Sequence, residues 1–157
     1  MRILFVCLGN ICRSPLAEGI LRHKAHHRGI PLEVDSAGFE SFHLGDGADP
    51  RSQRVAAQNG INISEHTARL FRAHDFDHYD RIYVMDSLNY SDVMQVARNT
   101  EDRKKVDYIL NLKRPGANQP VPDPYYGGKD GFEKVFRMLD EACDILLDEL
   151  QQIKERN

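Results

Sequence analysis

The sequence predicts an α/β fold in which a parallel sheet carries helices on both faces. Three observations lead there. The chain opens as strand, loop and helix, the front of a βαβ unit. Short apolar runs then alternate with helical stretches. The C-terminal segment carries a single apolar stripe at helical spacing.

Taken in order, Arg2 to Val6 is a short buried strand. Ser14 followed by Pro15 reads as an N-cap with proline at the first helical position, opening a helix to about Arg28. Leu32 to Ser36 is the second strand. Asp49-Pro50 opens a helix that runs toward Gly60, a residue suited to a C-cap, and Ser64 caps a short helical segment. Asp80 to Met85 is the third strand, with a helix from Ser87 to about Arg98, and Val106 to Leu110 is the fourth. Lys113 to Gly128 is a loop rich in proline and glycine. From Gly131, the positions Phe132, Val135, Phe136, Leu139, Ala142 and Cys143 begin a stripe that continues to Ile153, the mark of one long terminal helix. No repeat, low-complexity tract or linker divides the chain, so one domain over residues 1–157 is expected.

A formal net charge of −3 with 29% charged residues gives no sign of a nucleic-acid or membrane-surface specialist. The first apolar run stops at Gly9 and Asn10, too short for a signal peptide or a membrane span, and a cytoplasmic location is expected. Three cysteines without framework spacing suit free thiols in a reducing compartment better than structural disulfides.

Residues 6–15, VCLGNICRSP, carry the chemistry. In a parallel α/β fold ligands sit beyond the carboxyl ends of the strands, where Cys7 falls. A turn that runs into a helix N-terminus aims several backbone N–H groups at one spot, and the helix dipole adds positive potential. Gly9 permits unusual backbone angles, Asn10 tolerates a left-handed conformation, and Arg13 offers a planar fork for two anion oxygens. The loop Cys7, Leu8, Gly9, Asn10, Ile11, Cys12, Arg13 thus reads as a phosphate cradle. Such a setting favours the thiolate of a cysteine at its centre, a nucleophile aimed at phosphorus. No Gly-Lys-Ser/Thr is present, so this is not a Walker A loop. The attack also needs a proton donor for the departing oxygen, and Asp123 in Asp123-Pro124-Tyr125-Tyr126 is the candidate. The two tyrosines suit the walls of a slot for a flat aromatic group. Cys7 and Cys12 share one curled loop, so Cys12 is expected to capture an oxidised Cys7 as a disulfide.

These residues resemble the low-molecular-weight protein tyrosine phosphatases, whose signatures are V-C-x-G-N-x-C-R-S-P near the N-terminus and D-P-Y/F before the terminal helix. The resemblance extends from Arg2 to about Gln151 and takes in Asp35-Ser36-Ala37-Gly38, the stretch Gly60 to Ser64 with His66, Ala68 and Arg69, and Val84-Met85-Asp86. It implies a flavodoxin-like sheet of four parallel strands in order 2-1-3-4, phosphate or another oxyanion bound by the loop, no cofactor and no metal. It further implies Cys7 as nucleophile, Arg13 as phosphate clamp, Asp123 as general acid, Ser14 steadying the thiolate and Asn10 holding the loop's shape. Glu18 and His66 match a pair behind the loop, Tyr125 and Tyr126 the aromatic lining, and Phe42 stands where many bacterial members have a tryptophan. Gly47-Ala48 departs from the family's proline-containing stretch, which leaves the preferred peptide neighbours open. The implied substrates are tyrosine-phosphorylated proteins, and a monomer is expected.

Two activities of the same fold compete. A thiol-linked arsenate reductase needs two further cysteines after the third strand, and Val84 to Asn99 contains none. A protein-arginine phosphatase has threonine before the loop's second cysteine, where this chain has Ile11. A non-catalytic phosphotyrosine-binding module would need neither Cys7 nor Asp123.

Overall fold

Strand β1 (Arg2–Val6) is the middle of the molecule because every residue after Arg2 is apolar and both of its faces are covered. A computed structural model describes residues 1–156; Asn157, the last residue of the expected domain, lies outside them. β1 pairs in parallel with β2 (Glu33–Ala37) on one side and β3 (Arg81–Val84) on the other, and β4 (Val106–Tyr108) completes the sheet in the order β2-β1-β3-β4. This is the expected flavodoxin-like arrangement. Side chains alternate across the sheet, so β1 feeds two cores at once. Ile3, Phe5 and Cys7 join the face packed by helices α1 (Arg13–His27) and α6 (Lys129–Arg156). Leu4 and Val6 join Ile82, Val84, Phe76 and Val93 on the other face.

The parallel strands require crossovers, and the helices supply them. α1 joins β1 to β2. Helices α2 (Pro50–Gln58) and α3 (Asp75–His78) lie between β2 and β3, and α4 (Ser87–Val96) and α5 (Thr100–Lys104) between β3 and β4. Leu16, Ile20 and Leu21 of α1 and Leu139, Leu146 and Leu147 of α6 are fully buried. Each such side chain contributes about 1.5–3 kcal/mol of transfer free energy. Along the rim of this packing Lys24 pairs with Asp140 and Asp144, and Arg28 with Asp144 and Asp148.

Several local readings change. Helix α1 begins at Arg13, with Cys12 in the N-cap position and no side-chain cap. Ser14 is not the cap because its hydroxyl is engaged with Cys7 and Asn10. Ser64 starts no helix: Asn62 Oδ1 accepts the Ser64 amide in a local turn, and residues 64–65 stay a turn. α3 and α5 are single turns, too short to leave a periodic signal, although Asn99 caps α5 by accepting from the Asp102 amide. Gly60 follows α2 at φ +76°, as its C-terminal position requires.

Asp49 caps α2 and fastens it to the first loop. Its carboxylate accepts from the Arg51 amide at 2.8 Å, and its own amide donates to the Ile11 carbonyl at 2.8 Å. Burial opposes the charge on Asp49, but hydrogen bonds from Arg51 outweigh it and hold the carboxyl below its ordinary value. Asp49→Ala should cost about 1 kcal/mol, a fall of roughly 2–4 °C in Tm for a chain of this size, measured by calorimetry at neutral pH. Because the folded value is depressed, the stabilisation is complete above the unfolded carboxyl's pKa and fades as pH falls through the folded one. The difference between wild type and variant should therefore close in acid.

Candidate active site

The loop between β1 and α1 turns its carbonyls outward and its amides inward. Leu8 O accepts from the Phe39 and Glu40 amides at 2.8 and 3.1 Å, and Ile11 O accepts from Asp49. The Ser52 hydroxyl donates to Cys12 O at 3.3 Å. His66 Nε2 lies 2.6 Å from Asn10 O, and since a carbonyl only accepts, Nε2 carries the proton. Among the described residues, no protein acceptor takes the amides of Gly9, Asn10, Ile11, Cys12 or Arg13. Five consecutive unpaired amides running into a helix N-terminus are the donors of a nest for an anion.

Asn10 holds this curvature. Its backbone is left-handed at φ 55°, a conformation asparagine tolerates better than most residues. Its side-chain amide donates to Ser14 Oγ at 2.8 Å and Ser36 Oγ at 2.9 Å, while its Oδ1 accepts from the Arg69 amide at 2.9 Å. Ser36 passes its own proton to Glu18 Oε1 at 2.6 Å, and Glu18 is held by Arg22. His66 Nδ1 stands 3.9 Å from the same Glu18 oxygen. Behind the loop Gly38 is obligatory, because a Cβ there would lie 2.8 Å from Leu8 O and 2.9 Å from Asn10 N.

At the centre is Cys7, buried at the end of β1. Its sulfur is 3.0 Å from Ser14 Oγ and 3.5 Å from the Ser14 amide. Since Ser14 Oγ already accepts from Asn10, the hydroxyl proton is free to point at the sulfur, which suits a thiolate. Arg13 is almost completely buried, yet its charge is well supported. Burial works against it, but Cys7, Asp86 and Asp123 outweigh that and hold the guanidinium above the ordinary arginine value. Arg13 donates to Asp86 at 2.7 Å and to Val121 O at 2.9 Å.

Val121 is itself fixed, its amide donating to Met85 O at 2.7 Å, and two residues on Asp123 lies 3.7 Å from Arg13 Nη2. Asp123 also caps the turn Pro124–Tyr126 through the Tyr125 amide. The resulting slot, about 40 Å³, is lined by Cys7, Leu8, Gly9, Ile11, Cys12 and Arg13 below and by Glu40, His43, Asp123, Tyr125 and Tyr126 around the mouth. A thiol and a carboxyl group thus line one space that is also bounded by aromatic rings.

Most of the expected residues meet here. Ser14 and Asn10 lie beneath the slot, and Glu18 and His66 lie behind Asn10. Phe42 does not meet them: it is 84% exposed and outside the lining, and the neighbouring His43 occupies the mouth instead. The reason is local geometry. The three-residue turn Ser41–His43 sends consecutive side chains in different directions, and His43 is the one drawn in, between Glu40 at 3.6 Å and Asp46 at 3.2 Å. Asp86, Ser36 and Arg69 fall in stretches that carry the family resemblance, but the sequence assigns them no contact at the loop. Asp86 has one further signal, its position just past the carboxyl end of a strand. Among the described residues no group of three or more His, Cys, Asp or Glu side chains could hold a metal ion, and no helix is long and apolar enough to cross a membrane.

We expect Asn10→Ala, which strains the left-handed position and frees Ser14, to lower kcat roughly a hundredfold, the scale of a small misplacement of reacting groups. Steady-state kinetics on an aryl phosphate beside a far-ultraviolet spectrum of the folded variant checks this.

Residues 2–156 match the family model described as low molecular weight phosphotyrosine protein phosphatase. A low molecular weight protein-tyrosine-phosphatase of Streptomyces coelicolor is 39% identical, over 93% of this chain and 91% of that one. The crystal structure of a protein tyrosine phosphatase from Entamoeba histolytica, with Hepes in its active site, superposes with a TM-score of 0.90 at 35% identity, covering 98% of this chain and 99% of that one. A drosophila arginine phosphatase superposes with a TM-score of 0.88 at 31% identity, covering 96% and 98%.

Proposed function

The chain belongs to the low molecular weight phosphotyrosine protein phosphatase family, and we propose that its own site hydrolyses phosphotyrosine in proteins with Cys7, Arg13 and Asp123 as the working groups. The observation that carries this reading is the Cys7 sulfur lying beneath a ring of free amides with Asp123 opposite at the rim. In the first step the Cys7 thiolate attacks phosphorus, the phosphorus–oxygen bond to the phenol breaks, and Asp123 gives its proton to the leaving oxygen. In the second, Asp123 as carboxylate takes a proton from water, which attacks the cysteinyl phosphate and releases inorganic phosphate and the thiolate. Arg13 and the loop amides stabilise the equatorial oxygens throughout. Asp86 keeps the Arg13 fork in place, and Ser14 stabilises the thiolate when it leaves.

The slot favours this substrate over those of the rival activities. Ile11 gives the lining an apolar side chain, and Tyr125 and Tyr126 complete walls suited to a phenyl ring. Cys143 is buried in the core with its sulfur 4.0 Å from Ala17 O, away from the slot lining, which leaves an arsenate reductase without its third relay thiol. The protein works as one cytoplasmic, monomeric unit over residues 1–157, needing no metal or cofactor and engaging neither nucleic acid nor membrane. Cys7→Ser should remove turnover of phosphotyrosyl peptides, and a chelator should leave wild-type rates unchanged. Asp123→Ala should slow poor leaving groups by about 10²–10⁴-fold but nitrophenolate less. Equal losses on both would remove Asp123 as the acid, and faster turnover of phosphoarginine than phosphotyrosine peptides would favour the rival phosphatase.

Cys12 guards Cys7 against oxidation. Burial, then the Asp49 carboxylate and the negative groups Cys7 and Asp123, push the Cys12 thiol up, so it stays protonated, and Cys7 at the floor of the slot is the sulfur that peroxide meets first. Peroxide converts Cys7 to a sulfenic acid. The Cys12 sulfur then displaces its hydroxyl as water, forming a disulfide that dithiothreitol reduces. Peroxide-treated wild type should regain activity with dithiothreitol, while Cys12→Ser should regain far less from a near-normal starting rate. Equal recovery would leave Cys12 a packing residue.

A further inference from the structure

Next to the slot runs a second depression that the chemistry leaves unused. Arg51, Arg54, Val55 and Gln58 of α2 fall at i, i+3, i+4 and i+7, one helical face, and they line a groove of about 440 Å³ opposite Phe132 and Glu133. Gly127 and Gly128 lie along it, just beyond the tyrosines of the slot mouth. The two spaces adjoin through a pair of side chains. Tyr125 lines the slot, and the Arg51 guanidinium sits 5.4 Å from the Tyr125 ring centre and 4.6 Å from that of Phe132. The slot mouth and the groove are therefore neighbours, joined at Tyr125 and Arg51.

The charges around the mouth are not symmetric. On the side of residues 40–46, Glu40 and Asp46 flank His43 at 3.6 and 3.2 Å. On the α2 side Arg51 is taken up by Asp49, with Nε at 3.1 Å and Nη2 at 2.9 Å from the carboxylate oxygens. Arg54 is exposed and, among the described residues, has no carboxylate within 4.0 Å. Glu133 is the groove's one carboxylate, and with Arg51 held by Asp49 the guanidinium that the groove presents without a carboxylate partner is that of Arg54. The floor formed by Val55 and Phe132 is apolar and buried.

We propose that this groove is a peptide subsite, in which Arg54 selects substrates bearing an acidic side chain near the phosphotyrosine while the adjoining backbone rests on Val55 and Phe132. The proposal rests on the phosphatase reading and deepens it. Its occupant is the substrate chain itself, identified by continuity with the slot and by charge complementarity. An exposed guanidinium meeting a carboxylate is a modest, salt-sensitive interaction, and reversing its sign turns attraction into repulsion.

The test measures kcat/KM on matched phosphotyrosyl peptides that carry Glu or Lys at each neighbouring position, with p-nitrophenyl phosphate as reference. Wild type should favour Glu over Lys on one side of the phosphotyrosine. Arg54→Glu should lower kcat/KM for that peptide by roughly threefold to tenfold, chiefly through KM, and high salt should shrink the effect. Glu133→Gln should shift preference the other way. Neither change should alter turnover of p-nitrophenyl phosphate, which has no flanking chain. Equal kcat/KM for wild type and Arg54→Glu on every peptide overturns the subsite, as does an equal loss on peptide and p-nitrophenyl phosphate, which would mean Arg54 acts on the slot itself. Failure of wild type to turn over p-nitrophenyl phosphate at all would instead overturn the phosphatase reading.

Discussion

The constraint on which the rest of the structure depends is the inversion of one short loop, carbonyls out and amides in. A chain does not adopt that curvature for its own sake, since it crowds like dipoles together and requires a left-handed residue at Asn10. The surroundings enforce it. Phe39, Glu40, Asp49, Ser52 and His66 each donate to a loop carbonyl, and they come from the segment after β2, the start of α2 and the stretch before α3. The crossovers of the sheet thus act as a clamp on the loop.

A second balance sits on Arg13. A buried guanidinium without partners would be costly, and Asp86 and the Val121 carbonyl offset that cost. The same contacts tie together the carboxyl ends of β1 and β3 and the segment that carries Asp123. Charge placement and loop placement are therefore one problem with one solution. Asp123 stands 3.7 Å from the guanidinium, without a hydrogen bond that would fix it there.

Much of this was legible beforehand because the loop motif is local. Strand, glycine, left-handed asparagine, arginine and helix start are consecutive in the chain, so spacing alone carries their geometry. The strand order came through the family resemblance, which also implies the roles that the residues themselves suggest for Cys7, Arg13 and Asp123. What escaped depends on where side chains end up in space. The Ser14-Pro15 pattern reads as a cap and does not show that Asn10 and Cys7 both engage the hydroxyl. Phe42 and His43 are adjacent, and the local turn, with Glu40 and Asp46 three residues to either side of His43, decides which one turns to the mouth. Ser36 and Arg69 serve Asn10 from 26 and 59 residues away, beyond any window of periodicity.

The position of β1 has a kinetic meaning as well. Cys7 ends the most enclosed strand of the sheet, between two cores, so exposing it requires something close to global unfolding. Asp123 follows a stretch, 113–120, whose residues are all exposed and which is held by hydrogen bonds between Asn118 and Asn111 and, just beyond it, by Val121. Cys7 and Asp123 therefore belong to units of unequal cooperativity. Local opening of the exposed stretch would then carry Asp123 away from the Cys7 loop while that loop stays closed.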